Sequence, residues 1–280
     1  MTLPAGTYAE GAKKMNKKIA IIGGGNLGSA IARGLLYTKS VKPELIHITR
    51  RRADMLAGLA NEGIVTGNDN AAAAKDAKIV LLAVKPYQVA EVCEELKKHL
   101  ARNTIVISLA TGIENKKLIE MTGGKHAIFR AMPNTAIAIG ESMTCLAAIN
   151  ATPEQEKEIE QFFAKLGSVL FIPEELMAGA TVLAACGIAF ALRFIRAATQ
   201  GGIEIGFSSD MALKIASQTV KGASQLVIEG KSHPEAEIDK VTTPRGITIS
   251  GLNEMEHQGF SSSLIKGLLT SFQKIENLSK

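Results

Sequence analysis

The chain has 280 residues, of which 46% are apolar, so it is long enough for two domains and can bury a sizeable core. Its net charge is +5, but the basic residues are dispersed, aromatic residues make up 4% and tryptophan is absent. A nucleic-acid partner is therefore not expected, because stacking platforms are scarce. Cys93, Cys145 and Cys186 have neither disulfide nor metal-ligand spacing. We expect core cysteines, no metal site and a reducing, cytoplasmic compartment.

Two segments bear on a membrane location. Residues 1–16 contain no apolar core, so we expect a flexible leader and not a secretory signal. Leu176 to Leu192 is almost wholly apolar and close to the length that spans a bilayer. It is rich in alanine and glycine, lacks an aromatic belt and continues into Arg193 and Arg196 with helical character. We predict a buried helix and no membrane partner, with a membrane span as the alternative.

Taken in chain order, the first structural signal is an apolar run broken by glycines. Ile19 to Ile22 reads as a buried strand, and helical spacing of apolar residues follows the break. Gly23, Gly25 and Gly28 occupy G-x-G-x-x-G positions, which suit a tight turn, close approach to a pyrophosphate and close helix–strand packing. The pattern predicts a dinucleotide-binding strand–turn–helix unit. The alternative is a plain glycine turn in an unrelated α/β domain.

The end of the second predicted strand, Leu45 to Thr49, carries the signal for the type of dinucleotide. An NAD site typically places an acidic side chain there for the ribose 2′-hydroxyl, whereas this chain has Thr49, Arg50 and Arg51. Guanidinium groups bind a 2′-phosphate through paired, charge-assisted hydrogen bonds. We therefore expect NADPH, with NADH possible but weaker. The alternative is a solvated basic start to a helix.

The next predicted strands end in turn residues at one sheet edge, where open α/β sheets bind ligands. Ile79 to Val84 stops at Lys85-Pro86, because proline cannot continue the ladder. Two further strands lead to Thr111-Gly112 and to Met132–Thr135, and we expect a nicotinamide at this rim. The predicted strands of this part are Ile64–Thr66, Ile79–Val84, Thr104–Ser108 and His126–Ala131, with a helix at Tyr87–Leu100.

The remainder changes from mixed to helical character. Ser142–Ile149 and Ser168–Ile172 read as strands around a helix at Pro153–Lys165, and the strand signal disappears after about residue 176. Residues 209–229 form a helix with a long apolar stripe. The fold class is therefore α/β, with an N-terminal doubly wound Rossmann-type sheet followed by an all-helical dimerisation domain. Because one small helical domain cannot readily bury this stripe, we expect a homodimer or a multiple of it.

Several motifs together resemble those of the pyrroline-5-carboxylate reductase family. The resemblance covers the chain from Lys17 onward, and the loop at 243–248 is the most specific piece because it is similar to the family's Ser-Pro-Gly-Gly-Thr-Thr loop. The pieces are GGGNLG at the first turn, Asn70, AVKP at 83–86, RAMPNT at 130–135, QTVKGA at 218–223, HP at 233–234 and TPRGIT at 243–248.

This resemblance implies NADPH-dependent reduction of a cyclic imine carboxylate, 1-pyrroline-5-carboxylate, to L-proline. It also implies a leader at 1–16, a Rossmann domain at 17–174, and a helical dimerisation and substrate domain at 175–280. The active site would lie between the Rossmann and helical domains. The implied cofactor residues are Gly23, Gly25, Asn26, Leu27, Gly28, Thr49, Arg50, Arg51, Asn70, Ala83, Val84, Lys85, Pro86 and Thr111.

The loop at 243–248 is the expected substrate site. Thr243 is a favoured N-cap, Pro244 suits the first helical position, and free amides near a helix start bind anions. On the resemblance, Thr248 is the catalytic residue, with its hydroxyl at the imine nitrogen. The amides of this loop would take the carboxylate. The expected substrate residues are Thr243, Gly246, Ile247 and Thr248.

The chain also departs from the family pattern. The usual Gly-Ser-Gly-Pro-Ala-Tyr segment is replaced by residues 185–190, Ala178 stands where an aspartate is usual, and Arg196 stands where a glutamate is usual. These departures leave open a divergent NADP-dependent imine or hydroxyacid reductase, or a non-catalytic NADP-binding relative. Hydroxyacid chemistry is disfavoured, because the helix at 183–199 holds arginines but no lysine to act as an acid.

Overall fold

The computed structural model describes residues 15–279, so the predicted leader lies outside the described residues except for its last two. By backbone contacts the chain divides into two compact units. The first comprises the described residues up to Ala185 together with those from Phe272 onward, and the second comprises Cys186–Ser271. The predicted domain boundary after residue 174 remains a prediction.

The first unit is built on an eight-stranded sheet of spatial order β3-β2-β1-β4-β5-β6-β7-β8. Strands β1 to β6 are parallel, β7 runs antiparallel to β6, and β8 is parallel to β7. The first six strands thus have the order of a Rossmann sheet. The strands are β1 Ile19–Ile22, β2 Ile46–Thr49, β3 Val65–Gly67, β4 Ile79–Leu82, β5 Ile105–Ser108, β6 Ala127–Met132, β7 Ser142–Ile149 and β8 Gly167–Phe171.

Helices cover both faces of this sheet, which explains why its central strands are apolar throughout. Ile19 and Ile21 face a core shared with α1, α2 and α6, whereas Ala20 and Ile22 face one shared with α3, α4 and α5. The helices of this part are α1 Asn26–Tyr37, α2 Ala57–Asn61, α3 Asn70–Ala74, α4 Val89–Leu96, α5 Asn115–Thr122 and α6 Pro153–Ala164. The doubly wound α/β prediction is confirmed.

The chain after β8 is helical, as predicted. Its helices are α7 Met177–Ala180, α8 Gly187–Glu204, α9 Ser209–Gly230, α10 Pro234–Lys240, α11 Ile247–His257 and α12 Phe260–Ser279, with a π-helical segment at Thr181–Cys186 between α7 and α8. Within the second unit α8 packs on α9, and a Cβ at Gly202 would lie 2.9 Å from the Ala212 Cβ. A small residue is therefore needed at this close helix contact.

The apolar stretch predicted to be a buried helix is helical, but only its first turns are buried in a single chain. One continuous helical stretch, Glu174–Glu204, has the length and composition of a membrane span. Only 11% of its most apolar 18-residue segment is buried. No residue of α8 is buried. Core helices of soluble proteins can have the same length and apolar composition. The expectation of burial therefore holds for Met177, Ala180, Thr181 and Val182 and fails along α8, because α9 covers only part of that helix within one chain.

Two further local predictions need correction. The strand predicted to run to Val84 ends at Leu82, although the Ala83 amide still donates to the Ile22 carbonyl at 2.8 Å before the chain turns at Pro86–Gln88. The helix predicted to begin at Pro244, with Thr243 as its N-cap, begins at Ile247. Gly246 is the N-cap residue, while Pro244 lies in the turn before the helix.

Candidate functional site

The turn between β1 and α1 has the geometry that its glycines predict. Gly23 has φ +111°, and a Cβ there would lie 2.5 Å from the Ala83 carbonyl oxygen of the chain leaving β4. A Cβ on Gly28 would lie 2.1 Å from the Gly23 carbonyl oxygen, so only glycine lets α1 pack this closely on the turn. These two residues shape the turn, and Gly28 packs on its inner side, away from the ligand.

A cavity of about 990 Å³ opens at the carboxyl edge of the sheet around this turn. Every residue predicted to bind the cofactor lines it, with the exception of Gly28. Residues that were not predicted complete the wall: Gly24, Arg52, Asn68, Gln88, Glu91, Val92, Glu95, Leu109 and Ala110. The third predicted rim segment, Met132–Thr135, is not in this wall. Asn134 instead accepts a hydrogen bond from the Ala136 amide and donates one to the Ala184 carbonyl.

The glycine-turn end of the cavity suits a pyrophosphate. The α1 N-cap is the exposed Gly25, which has no side chain to occupy the first amides of the helix. A Cβ built on Gly25 would meet no atom within 4 Å, so a ligand can approach the backbone closely. Free amides and the positive end of the helix dipole both favour phosphate oxygens. The residues present therefore fit a dinucleotide.

The three consecutive arginines after β2 have different environments. Arg50 is partly buried, and its Nη1 donates a hydrogen bond to the Gly24 carbonyl at 3.0 Å. The Arg52 guanidinium lies 2.8 Å from the Met55 sulfur. Arg51 is exposed, and among residues 15–279 its side chain has no hydrogen-bond or ion-pair partner. Arg50 thus braces the glycine turn, and Arg51 is free to bind an anion in the cavity.

A hydrogen-bonded chain crosses the cavity wall beside these arginines. The buried Thr49 hydroxyl donates to Asn70 Oδ1 at 2.7 Å, and Asn70 Nδ2 donates to Glu95 Oε2 at 2.9 Å. Asn70 is free to do this because Asp69 caps α3 by accepting a bond from the Ala72 amide. Glu95 could not be predicted from the sequence, since it follows Asn70 by 25 residues and no local motif connects the two.

A second cavity, of about 570 Å³, shares Thr111 with the first. Glu174 binds two elements beside it: its Oε1 accepts from the Asn115 amide at 2.6 Å and from Arg130 Nη1 at 3.0 Å. Arg130 is 7% exposed, and its Nε has no partner in the described structure. Glu174 therefore connects β6 to the start of α5, which follows the Thr111-Gly112 turn. Sequence analysis assigned no role to either residue of this pair.

Cysteines and potential metal ligands do not form a reactive centre in the described residues. Cys93 and Cys145 are buried free thiols, and burial raises the pKa of Cys93 to about 11. Between Met15 and Ser279, no group of three histidine, cysteine or carboxylate side chains could hold a metal ion.

The predicted substrate loop lies in the second unit. The Gly246 amide donates to the Thr243 carbonyl at 2.9 Å, and Arg245 adopts a left-handed conformation with φ +58°. The turn leaves the start of α11 without a side-chain cap. Ile247 is 92% exposed and Thr248 is also exposed. The first amides of an eleven-residue helix and the Thr248 hydroxyl are thus open to a ligand.

Comparison with known proteins agrees with this arrangement. Pyrroline-5-carboxylate reductase 2 of Dictyostelium discoideum is 42% identical over 277 residues, which cover 93% of this chain and 93% of the relative. The chain belongs to the pyrroline-5-carboxylate reductase family. Pyrroline-5-carboxylate reductase 1 of the same organism is also 42% identical over 95% of this chain, but the chain spans only 50% of that relative.

A solved structure of this family and two family models also match the fold and its two parts. The crystal structure of Plasmodium falciparum pyrroline carboxylate reductase with NADP bound superposes with a TM-score of 0.87 and 26% identity, covering 96% of this chain and 100% of that chain. Residues 18–112 match the family model "NADP oxidoreductase coenzyme F420-dependent". Residues 174–278 match "Pyrroline-5-carboxylate reductase dimerisation".

Proposed function

We propose that this protein reduces 1-pyrroline-5-carboxylate to L-proline in proline biosynthesis, with NADPH as the preferred reductant. The observation that carries the proposal is the cavity at the glycine turn, where the free helix start and the unpaired Arg51 occur together. Membership of the reductase family supports the choice of substrate. NADH is a weaker alternative reductant.

The proposal assigns separate tasks to the residues of the cofactor cavity. When bound, NADPH supplies the hydride that reduces the imine carbon. The amides of Asn26 and Leu27 bind the pyrophosphate, and Arg51 binds the 2′-phosphate. Ala83–Pro86 and Thr111 form a rim that contacts the nicotinamide end and shields it from solvent.

The α11 start is assigned to the substrate. As the hydride reaches the imine carbon, the C=N π electrons move to nitrogen, which must carry or receive a proton. No strong general base is needed for this step. The exposed amides around Ile247 bind the substrate carboxylate, and the Thr248 hydroxyl bonds the ring nitrogen. Thr248 thus orients the imine, which makes it the catalytic residue of the proposal.

We also propose that the working unit is a homodimer, or an oligomer built from dimers, in the cytoplasm. The exposed apolar surfaces of α8 and α9 support the dimer, as does the match of residues 174–278 to a dimerisation model. Free cysteines, of which Cys93 and Cys145 are buried, suit a reducing compartment.

Following NADPH consumption in the presence of pyrroline-5-carboxylate, with proline identified as the product, tests the proposed activity. We expect consumption that depends on the imine and is slower with NADH. NADPH consumption only with the keto acid that corresponds to a hydroxyacid would favour a hydroxyacid dehydrogenase. Tight NADPH binding without turnover on either substrate would identify a non-catalytic relative.

A further inference from the structure

The ribose end of the cofactor cavity carries charges of both signs. Arg50, Arg51 and Arg52 line one side, while Glu91 and Glu95 of α4 line another. The end of β2 carries no acidic residue that would repel a 2′-phosphate, since Thr49 is followed by Arg50, Arg51 and Arg52. The fold supplies one from a distant position, because α4 packs beside α3 and brings Glu95 to Asn70. The negative charge of Glu95 therefore acts on the ribose end of the cofactor, as does the positive charge of Arg51.

Glu95 also determines which way the Asn70 carboxamide points. Asn70 Nδ2 donates to the carboxylate, which leaves Oδ1 to accept from the Thr49 hydroxyl. The reversed orientation would place Oδ1 against a carboxylate oxygen, and two acceptors repel each other. Asn70 is thus locked with an acceptor toward Thr49 and the β2 end of the cavity.

This locked orientation discriminates between the two cofactors. A carboxamide oxygen has a second lone pair, so Asn70 Oδ1 can still accept a hydrogen bond from a ribose hydroxyl. A 2′-phosphate presents acceptor oxygens and about two negative charges, so it gains nothing from this oxygen and is repelled by the nearby carboxylate. Arg51 favours the phosphate, and the Asn70–Glu95 pair favours the hydroxyl.

We infer that Glu95 is a specificity-determining positioning residue, which fixes Asn70 as an acceptor and keeps NADH in use beside NADPH. The inference rests on the proposed use of these cofactors, and it concerns their ratio rather than the reaction. It predicts that removal of the Glu95 charge converts a site with dual use into one more selective for NADPH.

The test compares dissociation constants of NADPH and NADH for the full chain and for Glu95→Gln. Glutamine keeps the volume and can donate to or accept from Asn70, so it releases the lock without leaving a gap. We expect the ratio of the NADH to the NADPH dissociation constant to rise about fivefold, as estimated for a charge acting through partly screened solvent. The rise should be smaller in high salt.

Glu94→Gln is the matched control. Glu94 is the neighbouring residue of α4, it does not line the cavity, and its carboxylate faces Lys97 at 3.5 Å. The ratio should remain unchanged in this variant. An unchanged ratio in Glu95→Gln, an equal weakening of both cofactors, or the same rise in Glu94→Gln would overturn the inference.

Binding measured without substrate separates this inference from the proposed reaction. If the unmodified protein binds both cofactors but does not reduce pyrroline-5-carboxylate, the proposed reaction fails while the ratio still decides the role of Glu95. Failure of the unmodified protein to bind either cofactor would overturn both.

Discussion

Arg50 and Arg51 are adjacent in sequence but have separate roles in the structure. We predict that Arg51→Ala weakens NADPH binding by about 1–3 kcal/mol, the range for a charge-assisted hydrogen bond, and leaves NADH binding nearly unchanged. Arg50→Ala removes the bond to the Gly24 carbonyl and should weaken both cofactors alike, because it loosens the shared glycine turn. Fluorescence titration with each cofactor measures both effects. Equal losses for the two cofactors in Arg51→Ala would exclude a 2′-phosphate role.

Thr248 is the residue on which the chemical step depends most in this account. Thr248→Ala should lower kcat/KM for the imine by roughly 10- to 100-fold, about 1.4–2.7 kcal/mol, through loss of one orienting hydrogen bond. NADPH affinity should stay the same, and Thr248→Ser should restore most of the activity because it keeps the hydroxyl. Steady-state kinetics with a parallel NADPH titration makes the comparison. Full activity in Thr248→Ala would remove this residue from the mechanism, and weakened NADPH binding would place it at the cofactor.

Local motifs made most of the cavity wall predictable, and long-range contacts made the rest unpredictable. The turn glycines and the arginines after β2 each lie within a few residues of the strand that positions them, so their chemistry is visible in the sequence. Glu95 reaches Asn70 only because α3 and α4 pack on the same sheet face. Glu174 likewise meets Arg130 across 44 residues. No spacing rule in the sequence encodes either contact.

At the scale of elements, α8 and α9 expose more apolar surface than a soluble single chain typically does. Large side chains on the two helices remain solvent-exposed: Leu192 and Leu226 at 57%, and Ile228 at 68%. No residue of α8 is buried, and in α9 only Ala212 and Ala216 are. A second copy of the chain would cover these faces.

We therefore predict a stable homodimer or a multiple of it, measured by light scattering coupled to size-exclusion chromatography. Leu226→Asp should shift the mass toward monomer, because it places a charge on the apolar face. Gln225→Asp is the matched control, since Gln225 is exposed and its neighbours one turn away on the helix are the polar residues Lys221 and Glu229. A stable and active monomer of the unmodified protein at micromolar concentration would contradict the prediction.

Secondary structure was predictable where the local signals were complete. Strands β1 and β7 have the predicted bounds, and α6 begins at Pro153 because Thr152 and Gln155 form a reciprocal capping box. The helix predicted at 87–100 is shorter, with a 3-10 turn at Pro86–Gln88 and α4 at Val89–Leu96. At 243–248 the sequence pattern of threonine followed by proline indicated a helix start, but a turn with Arg245 at positive φ delays the helix to Ile247.

At the scale of the whole molecule, fold class and family could be predicted from the sequence, whereas burial of α8 could not. Hydrophobic periodicity reports that a face is apolar, and it does not report which chain covers that face. The same apolar stretch is compatible with a core helix, a subunit contact or a membrane span until its surroundings are known. The exposure of α8 in one chain thus makes assembly part of the functional account.

The central claim is hydride transfer to the imine carbon of pyrroline-5-carboxylate, and isotope transfer tests it most directly. NADPH carrying deuterium at its transferable position is incubated with the protein and the imine, and the product is analysed by mass spectrometry and NMR. The account predicts one L-proline for each NADPH oxidised, with one deuterium on the former imine carbon. Absence of imine-dependent NADPH oxidation, or oxidation without labelled proline, would contradict it.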